Sequence, residues 1–217
     1  MPTLPVILAR GPWSPDQVQV RWRDEPYEPP TEVARRADEA VDALRERGSP
    51  AHDGLAARLA GYEATPERLG LELQPSRWSL RLVAGAGQNS LTALCVVRRE
   101  DGRWLAGRRA AWLASWAGRW ALGAGGAVEV GESPADTLTR ELEEEWRLVP
   151  HALRVEALLG LPDGLAMIVG VATVADAAEP VADHEHDRFA WWPAAIDCWP
   201  EEADPRLCRM ARLLSSA

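Results

Sequence analysis

The sequence predicts an α/β fold in which a mixed β-sheet lies between helices, preceded by a small α+β region. In the second half of the chain, strand-like segments are interrupted by one central helix and followed by a final one. The first half has a different pattern, with strand-like segments around one long amphipathic helix. With 217 residues, 47% of them hydrophobic, the chain can bury a sizeable core. We place a domain boundary near residue 88, between a region 1–88 packed on the core and a domain 89–217.

Region 1–88 contains two predicted strands and one helix. The segments DQVQVRWRDE and RLGLELQPSRW have strand-like patterns, the first of them half-exposed. Between them, TEVARRADEAVDALRERG has apolar residues at helical spacing, with Thr31 as its N-cap and Gly48 as its stop. A polar, glycine-containing joint, LVAGAGQNS, leads into the second half.

Domain 89–217 begins with a predicted hairpin, in which a DG turn joins the buried strand LTALCVVRRE to RWLAG. The central helix has a well-marked start, because Ser133 is a good N-cap, Pro134 suits the first helical position and Asp136 completes a capping box. Three more strands, VEALLGLP, LAMIVGVATVA and RFAWWP, precede the closing helix DPRLCRMARLLSS. This order predicts a mixed sheet sandwiched between helices.

Composition excludes several classes of partner. A net charge of -9, with no lysine, argues against nucleic-acid and anionic-membrane surfaces. Cys95, Cys198 and Cys208 are odd in number and widely spaced, as reduced cytosolic thiols are. The start MPTLPVILARGPW is a poor signal peptide, and the longest apolar run, GLAMIVGVATVA, is too short to span a bilayer. We expect a soluble cytoplasmic protein.

The central helix combines an apolar stripe with an acidic one. The apolar stripe consists of Ala135, Leu138, Leu142 and Trp146, and the acidic stripe of Glu141, Glu144 and Glu145. Like charges at this spacing repel each other unless a cation lies among them. Oxygen ligands without nearby Cys or His favour Mg²⁺ or Mn²⁺, whose open positions suit a diphosphate. Arg140 and Glu132 are candidates for an ion pair that fixes the preceding loop to the helix. A solvated acidic helix is the alternative.

The stretch from Gly126 to Leu148 resembles the Nudix box. That motif is a glycine, five residues, a glutamate, seven residues, then Arg-Glu-aliphatic-any-Glu-Glu-any-Gly-aliphatic. The matching positions are Gly126, Glu132, Arg140, Glu141, Leu142, Glu144, Glu145 and Leu148, eight of the nine specified. The approach GRWALGAGGAVEVGE is also similar to the family pattern, and the resemblance covers roughly residues 89 to 200. It implies a Nudix-type α/β/α sandwich.

Arg147 stands where the family has a glycine. That glycine usually closes the helix in a left-handed conformation, which costs another residue about 1–2 kcal/mol. The alternative is that the helix continues until Pro150, because the residue before a proline disfavours helix.

The resemblance also implies a mechanism. Glu141, Glu144 and Glu145 would bind Mg²⁺ with a backbone carbonyl of Gly125, and water would attack a phosphorus of a nucleoside diphosphate linked to another group. The general base would be Glu141 or Glu185, which lies in the loop ADHEHDRF. We expect the DHEHD part of this loop to be a solvated turn before a strand. The alternative is a second metal or base loop, because histidine and carboxylate alternate in it.

Four residues before the box are candidates for substrate binding. Arg108 and Arg109 end the hairpin strand and would reach a phosphate. Trp112 and Trp116, with Trp120, recur every four residues, which fits either a helical core stripe or an aromatic wall for a nucleobase. Region 1–88 weakly resembles the leading part of UDP-glucose pyrophosphatase-like Nudix proteins, which favours a nucleotide sugar as the substrate.

Three alternatives stay open. One is a non-catalytic Nudix-like module that senses a nucleotide, and another is a hydrolase of ADP-ribose or another nucleotide. The third is an isopentenyl-diphosphate isomerase, which needs a catalytic cysteine that the buried strand around Cys95 does not supply. Family members often form homodimers, but the sequence identifies no interface.

Overall fold

A computed structural model of the chain describes residues 5–48, 53–83, 89–113 and 115–215. Region 1–88 forms β1 (Val6–Trp13), β2 (Val18–Trp22), α1 (Thr31–Glu46), β3 (Leu55–Thr65) and β4 (Arg68–Arg77). Domain 89–217 forms β5 (Leu91–Arg99), β6 (Trp104–Arg109), β7 (Trp120–Leu122), β8 (Ala124–Ala127), α2 (Pro134–Trp146), β9 (Ala152–Gly160), β10 (Ala166–Val174), β11 (His186–Trp192) and α3 (Pro205–Ser215). Short 3₁₀ turns lie at Pro15–Gln17, Trp78–Leu82 and Ile196–Cys198.

The larger sheet is mixed, as predicted. Its eight strands run in the order β1-β9-β10-β5-β6-β11, with β8 pairing β5 and β7 pairing β6. The β10–β5 pair is parallel, whereas β9, β6 and β8 lie antiparallel to their neighbours. The two central strands, β5 and β10, are mostly buried, which accounts for their nearly continuous apolar sequences.

The two faces of this sheet pack on different helices, which confirms the predicted sandwich. Alternate residues of a strand point to opposite faces. Leu91, Ala93, Cys95 and Val97 of β5 share a core cluster with the apolar stripe of α2. Val96 instead joins a second cluster with α3 and several tryptophans.

A second, smaller sheet has the order β2-β4-β3 and packs against the same core as α2. Leu59, Leu69, Leu71 and Leu73 of this sheet belong to the same buried cluster as Leu138 of α2. Strand β3 also bonds directly to the second half of the chain, since the Ala57 N–H donates to Val128 O at 2.7 Å and the Leu59 N–H to Asn89 O at 2.9 Å. The smaller sheet thereby supports the segment that leads into α2.

The boundary near residue 88 stays a prediction. Strand β1 belongs to region 1–88 in sequence but to the sheet of domain 89–217 in the structure. Strand β1 pairs with β9 and forms an edge of the larger sheet. The predicted joint runs from residue 82 to 90, and residues 84–88 lie outside the described part. None of the helices in the described ranges has the length and apolar character that a membrane span requires.

One prediction for α1 is wrong, and one of the two alternatives for the tryptophans is excluded. Thr31 is the first helical residue of α1, and its N-cap is Pro30. Trp112 and Trp116 do not lie on a helix but in the loop between β6 and β7, where Trp116 has a φ of +56°. The four-residue spacing of Trp112, Trp116 and Trp120 therefore does not reflect a helix.

Candidate active site

Helix α2 begins at Pro134 with Ser133 as its N-cap, as predicted, but among the described hydrogen bonds Asp136 does not complete a capping box. Its C-terminus has the left-handed backbone for which the box glycine is suited. The Ser133 hydroxyl accepts a hydrogen bond from the Ala135 N–H at 3.3 Å, and Pro134 is the first helical residue. The helix ends at Trp146, and Arg147 takes the left-handed conformation with φ +54° and ψ 31°. The alternative of a helix running on to Pro150 is therefore wrong.

Arg140 is the centre of a network that joins the loop before α2 to the helix. Its Nε and Nη2 donate to the two carboxylate oxygens of Glu132 at 2.8 and 3.1 Å, so the predicted pair forms. The Thr137 hydroxyl also donates to Glu132, at 2.8 Å. Nη1 of Arg140 donates to Glu141 at 2.8 Å and to Glu144 at 3.2 Å. This forked contact with Glu132 fixes the loop and leaves one guanidinium nitrogen for the acidic stripe.

The three glutamates of the acidic stripe lie at different depths. The Glu144 side chain is 57% exposed, that of Glu141 is 12% exposed and that of Glu145 is 7% exposed. Glu141 lies against Gly126, where an added Cβ would be 2.1 Å from Glu141 Oε1. Burial raises the pKa of Glu141, while the neighbouring Arg140 opposes that shift. The three carboxylates of the stripe thus differ in solvent exposure and are not equivalent surface charges.

Glu145 is the most perturbed of these carboxyl groups. Its Oε1 accepts a hydrogen bond from the Gly125 N–H at 2.9 Å. Its Oε2 is buried and has no hydrogen-bond partner among the described residues. Burial raises the pKa of Glu145 to about 9, and the charges of Glu141 and Glu185 act in the same direction. Gly125 was predicted to offer its carbonyl to a metal, and what the structure shows is its N–H bound to this glutamate.

His186 is a buried neighbour of Glu145 that the sequence reasoning missed. Its Nε2 lies 3.8 Å from Glu145 Oε2, and its Nδ1 lies 3.3 Å from Asp183 Oδ1. Its ring packs on Trp146 with centroids 4.4 Å apart. Burial lowers the pKa of His186, which favours the neutral imidazole. The DHEHD stretch is therefore not wholly a solvated turn, because its second histidine starts β11 inside the protein.

The other base candidate and both candidate arginines form ion pairs. Glu185 is 32% exposed and accepts from Arg109 Nη2 at 3.2 Å. Its backbone oxygen accepts from the Ala110 N–H at 2.7 Å, so two loops meet here. Arg108 donates to both oxygens of Asp187, at 2.7 and 2.8 Å. Neither arginine therefore presents an unpaired charge to a ligand.

The candidate aromatic residues have different surroundings. Trp112 is 45% exposed and stacks on His184, with ring centroids 5.5 Å apart and planes 7° apart. Trp116 is partly buried against the α3 side of the core, and the Arg206 guanidinium lies 4.4 Å from its ring centroid. These contacts favour core packing for Trp116 and leave Trp112 accessible to a planar ligand. Trp120 packs on Trp192 at 5.6 Å, as a structural residue does.

A family model described as the NUDIX domain matches residues 88–206, which is more than half of the chain. The chain belongs to the Nudix family. Comparison with curated proteins gives no significant match.

Solved structures of Nudix proteins are similar to this chain. A MutT/nudix family protein from Enterococcus faecalis is 22% identical, with a TM-score of 0.42 over 48% of this chain and 43% of that one. This chain thus spans less than half of that protein. DR0079 from Deinococcus radiodurans is 18% identical, with a TM-score of 0.48 over 57% and 81%. The NUDIX domain of Shewanella oneidensis NrtR, solved with ADP ribose, is 17% identical, with a TM-score of 0.45 over 58% and 86%.

The Nudix acidic stripe has the donor chemistry for a hard divalent cation without a preassembled cage. Among the described residues, no three His, Cys, Asp or Glu side chains form a ready metal cluster. Glu141 and Glu144 both accept a hydrogen bond from Arg140 Nη1. The unpartnered buried oxygen of Glu145 is what a cation would satisfy, and an all-oxygen donor set suits Mg²⁺ or Mn²⁺.

The cysteine considered for the isomerase alternative, Cys95, is not placed to act as a nucleophile. Cys95 lies on β5 and is fully buried between the sheet and α2. Burial raises the pKa of its thiol to about 12, so the reactive thiolate is not accessible near neutral pH.

Proposed function

We propose that this Nudix hydrolase uses Mg²⁺ to cleave a nucleoside diphosphate linked to another group, and that the substrate is a nucleotide sugar. The products are a nucleoside monophosphate and a phosphorylated remainder. The observation that carries the proposal is the buried, unpartnered Oε2 of Glu145 next to Glu141, since an uncompensated buried carboxylate is costly unless a cation or a proton satisfies it.

Glu141, Glu144 and Glu145 are the residues that would hold the metal ion. When bound, Mg²⁺ neutralises phosphate charge and lowers the pKa of coordinated water. Arg140 keeps Glu141 and Glu144 gathered at the surface of α2 and, through Glu132, fixes the loop that carries the helix N-terminus. Positioning of this kind supplies a large part of the catalysis of phosphoryl transfer.

Glu185 is the better placed of the two base candidates. It is part-exposed at the rim of the site, while Arg109 and the Ala110 N–H hold its loop in place. In the reaction the water oxygen bonds to phosphorus, its proton passes to the carboxylate, and the anhydride P–O bond breaks with its electron pair going to the departing phosphate. Glu141 is the alternative base. Each carboxylate accepts a hydrogen bond from an arginine, so the preference for Glu185 rests on its greater exposure, 32% against 12% for Glu141.

The exposed stack of Trp112 on His184 supports a nucleobase contact beside this site. Both rings are carried by the loops that meet at Ala110 and Glu185, so a planar base would find an aromatic face near the acidic stripe. Arg108 and Arg109 end the same strand, β6, and stay candidates for phosphate contact, which would require them to exchange their carboxylate partners. The nucleotide-sugar class rests on the resemblance of region 1–88, and ADP-ribose or another nucleotide is the alternative.

A substrate panel tests the proposal. The wild-type protein and a Glu144→Gln, Glu145→Gln double variant are incubated with Mg²⁺ and UDP-sugars, ADP-ribose, dinucleotide cofactors, diadenosine polyphosphates or nucleoside triphosphates, and the products are separated by chromatography. We expect the wild type alone to release a nucleoside monophosphate from the UDP-sugars. If ADP-ribose alone is cleaved, the substrate is ADP-ribose and not a nucleotide sugar. A ligand that raises the melting temperature without turnover would favour the sensing alternative.

A further inference from the structure

The arginines already considered at the site are bound to carboxylates. Arg108 pairs with Asp187, Arg109 with Glu185 and Arg140 with Glu132. An anionic diphosphate entering this acidic site needs a cationic side chain that is not already neutralised.

Arg81, in the 3₁₀ turn that follows β4, has a different environment. Its side chain is half-buried, and its guanidinium lies over the ring of Trp78, 5.5 Å from the centroid. Within the described ranges, no carboxylate oxygen lies within ion-pair distance of this guanidinium. A cation–π contact with Trp78 does not use the N–H groups of the guanidinium, so they are available to another acceptor.

Strand β3 lies between this turn and the start of the box. Leu55 of β3 pairs with Arg77 on one side, and the adjacent Ala56 pairs with Glu129 on the other, just before the loop that starts α2. The Trp78 N–H donates to Gly54 O at 2.8 Å, which holds the turn at this end of β3. The turn that carries Arg81 and the segment that leads from β8 to the acidic helix therefore flank the same strand, β3, about 10 Å apart.

The charges that act on Arg81 agree with this placement. Burial lowers the pKa of its guanidinium, and Glu141 of α2 and Asp163 of the β9–β10 turn both oppose that shift. Arg81 thus lies near one of the box glutamates without being bound to it. A phosphate oxygen in the remaining space would gain a charge-assisted hydrogen bond from a half-buried donor.

We propose that Arg81 is a substrate-binding residue that region 1–88 supplies to the active site, with its guanidinium donating to a non-bridging oxygen of the substrate diphosphate. This inference rests on the proposed function for the identity of the anion. It gives the N-terminal sheet a direct part in substrate recognition as well as a structural one. It also explains how a site whose other arginines are engaged attracts a diphosphate.

Two variants and a matched control test the inference. Arg81→Met keeps an apolar side chain and removes the charge. Arg81→Lys keeps the positive charge but lacks the forked N–H donors of a guanidinium. The control is Arg58→Met, because Arg58 is also half-buried in region 1–88 and lies over an aromatic ring, at 4.1 Å from the centroid of Tyr27, but bonds to Gln74. For each protein, KM and kcat are measured with the substrate that the panel identifies, together with the binding of inorganic pyrophosphate by calorimetry and the melting temperature.

We expect Arg81→Met to raise KM and the dissociation constant of pyrophosphate about tenfold or more, the loss expected of one hydrogen bond from a charged group. The kcat should change by less than about threefold, Arg81→Lys should recover part of the affinity, and Arg58→Met should keep the wild-type constants. Unchanged KM and pyrophosphate binding in Arg81→Met would overturn the inference. A fall in kcat or melting temperature without a change in KM would also overturn it, because Arg81 would then only compensate the charge of Glu141.

The two proposals fail in distinguishable ways. If the wild type cleaves no member of the panel, the proposed function fails, and the comparison of pyrophosphate binding between the wild type and Arg81→Met still decides the role of Arg81.

Discussion

Arg147 is the residue at which this sequence departs from the Nudix box, and the structure keeps the glycine conformation there. Its backbone is left-handed, and its N–H still closes the helix by donating to Glu143 O at 2.9 Å. The side chain is exposed, so the chain gains little packing in return for the strain. The helix end is set by the burial of Trp146 and Leu148 on either side, which outweighs the local preference.

Replacing Arg147 by glycine should therefore stabilise the protein. We expect Arg147→Gly to raise the free energy of unfolding by up to about 1 kcal/mol, because it removes left-handed strain but adds flexibility to the unfolded chain. Urea unfolding followed by tryptophan fluorescence measures the change. Arg147→Ala is the control, since alanine keeps the strain, and an equal gain in both variants would contradict this explanation.

The buried carboxyl of Glu145 should make stability depend on pH. Its pKa of about 9 lies above that of the unfolded chain, so the folded state holds a proton that the unfolded state has lost. Stability from this group is thus full below the unfolded pKa and falls as the pH rises towards 9, by at most about 1.4 kcal/mol per pH unit.

Glu145→Gln, in the presence of a chelator, should remove that dependence. We expect the variant to be more stable than the wild type by a margin that grows between pH 6 and pH 9, as measured by urea unfolding at each pH. Glu144→Gln is the matched control, because the Glu144 side chain is 57% exposed. A constant margin for Glu145→Gln across this range would show that Glu145 is already ionised in the metal-free protein.

Much of the site could be predicted from a short stretch of sequence, because the box places most of its functional side chains on one helix. The spacing of Glu141, Glu144 and Glu145 and the Arg140–Glu132 pair are local features. Arg81 and His186 could not be predicted in this way, because strand pairing brings them to the site from distant parts of the chain. Their only sequence signals were an unexplained arginine after a tryptophan and a histidine between carboxylates.

At the scale of elements, the contact between β8 and α2 decides the geometry of the acidic stripe. Gly126 pairs with Ala93 of β5, and the side chain of Glu141 occupies the space that a Cβ at position 126 would take. The Thr92 hydroxyl donates to Gly126 O at 2.7 Å and holds this strand against β5. Glycine at this position therefore lets the Glu141 carboxylate lie directly against the strand.

Gly126→Ala should impair activity more than folding. The clash is with the flexible end of Glu141, so we expect that side chain to move and kcat/KM to fall about a hundredfold, while the melting temperature changes little. Gly70→Ala is the control, because the nearest atom to an added Cβ there is Glu63 O at an ordinary 3.7 Å. Equal kinetics of the two variants would show that the position of Glu141 is not critical.

Some elements were predictable and others were not. The strong periodicity of α1, α2 and the buried strands β5 and β10 identified them. Strand β1 was missed because Pro12 interrupts its apolar pattern, and β3 because four alanines and a glycine replace the branched residues that mark strands. Both acquire their structure from partners elsewhere in the chain, β1 from β9 and β3 from β4.

At the scale of the whole molecule, the two sheets share one buried cluster. Leu73 of the smaller sheet and Leu142 of α2 are both fully buried in it, and β1 completes the edge of the larger sheet. Residues 1–88 should therefore not unfold independently of the rest. Composition predicted that the region packs on the core but not that it contributes a strand to the larger sheet.

This shared core predicts a single unfolding transition. We expect calorimetry of the wild type to show one cooperative transition, and Leu73→Ala to shift all of it, with a loss of about 2–5 kcal/mol in the free energy of unfolding. Leu213→Ala on α3, where the side chain is 46% exposed, is the control and should cost little. Two transitions, of which only one moves in Leu73→Ala, would show that the regions fold separately.

The central claim is that the box carboxylates support metal-dependent attack of water on a phosphorus atom. The most direct measurement is turnover of a nucleotide sugar in ¹⁸O-labelled water, with and without Mg²⁺, followed by mass spectrometry of both phosphorylated products. We predict that the wild type places one label in one product only when Mg²⁺ is present, and that the Glu144→Gln, Glu145→Gln variant forms no labelled product. Labelled product at the wild-type rate from that variant, or from chelated wild type, would contradict the account.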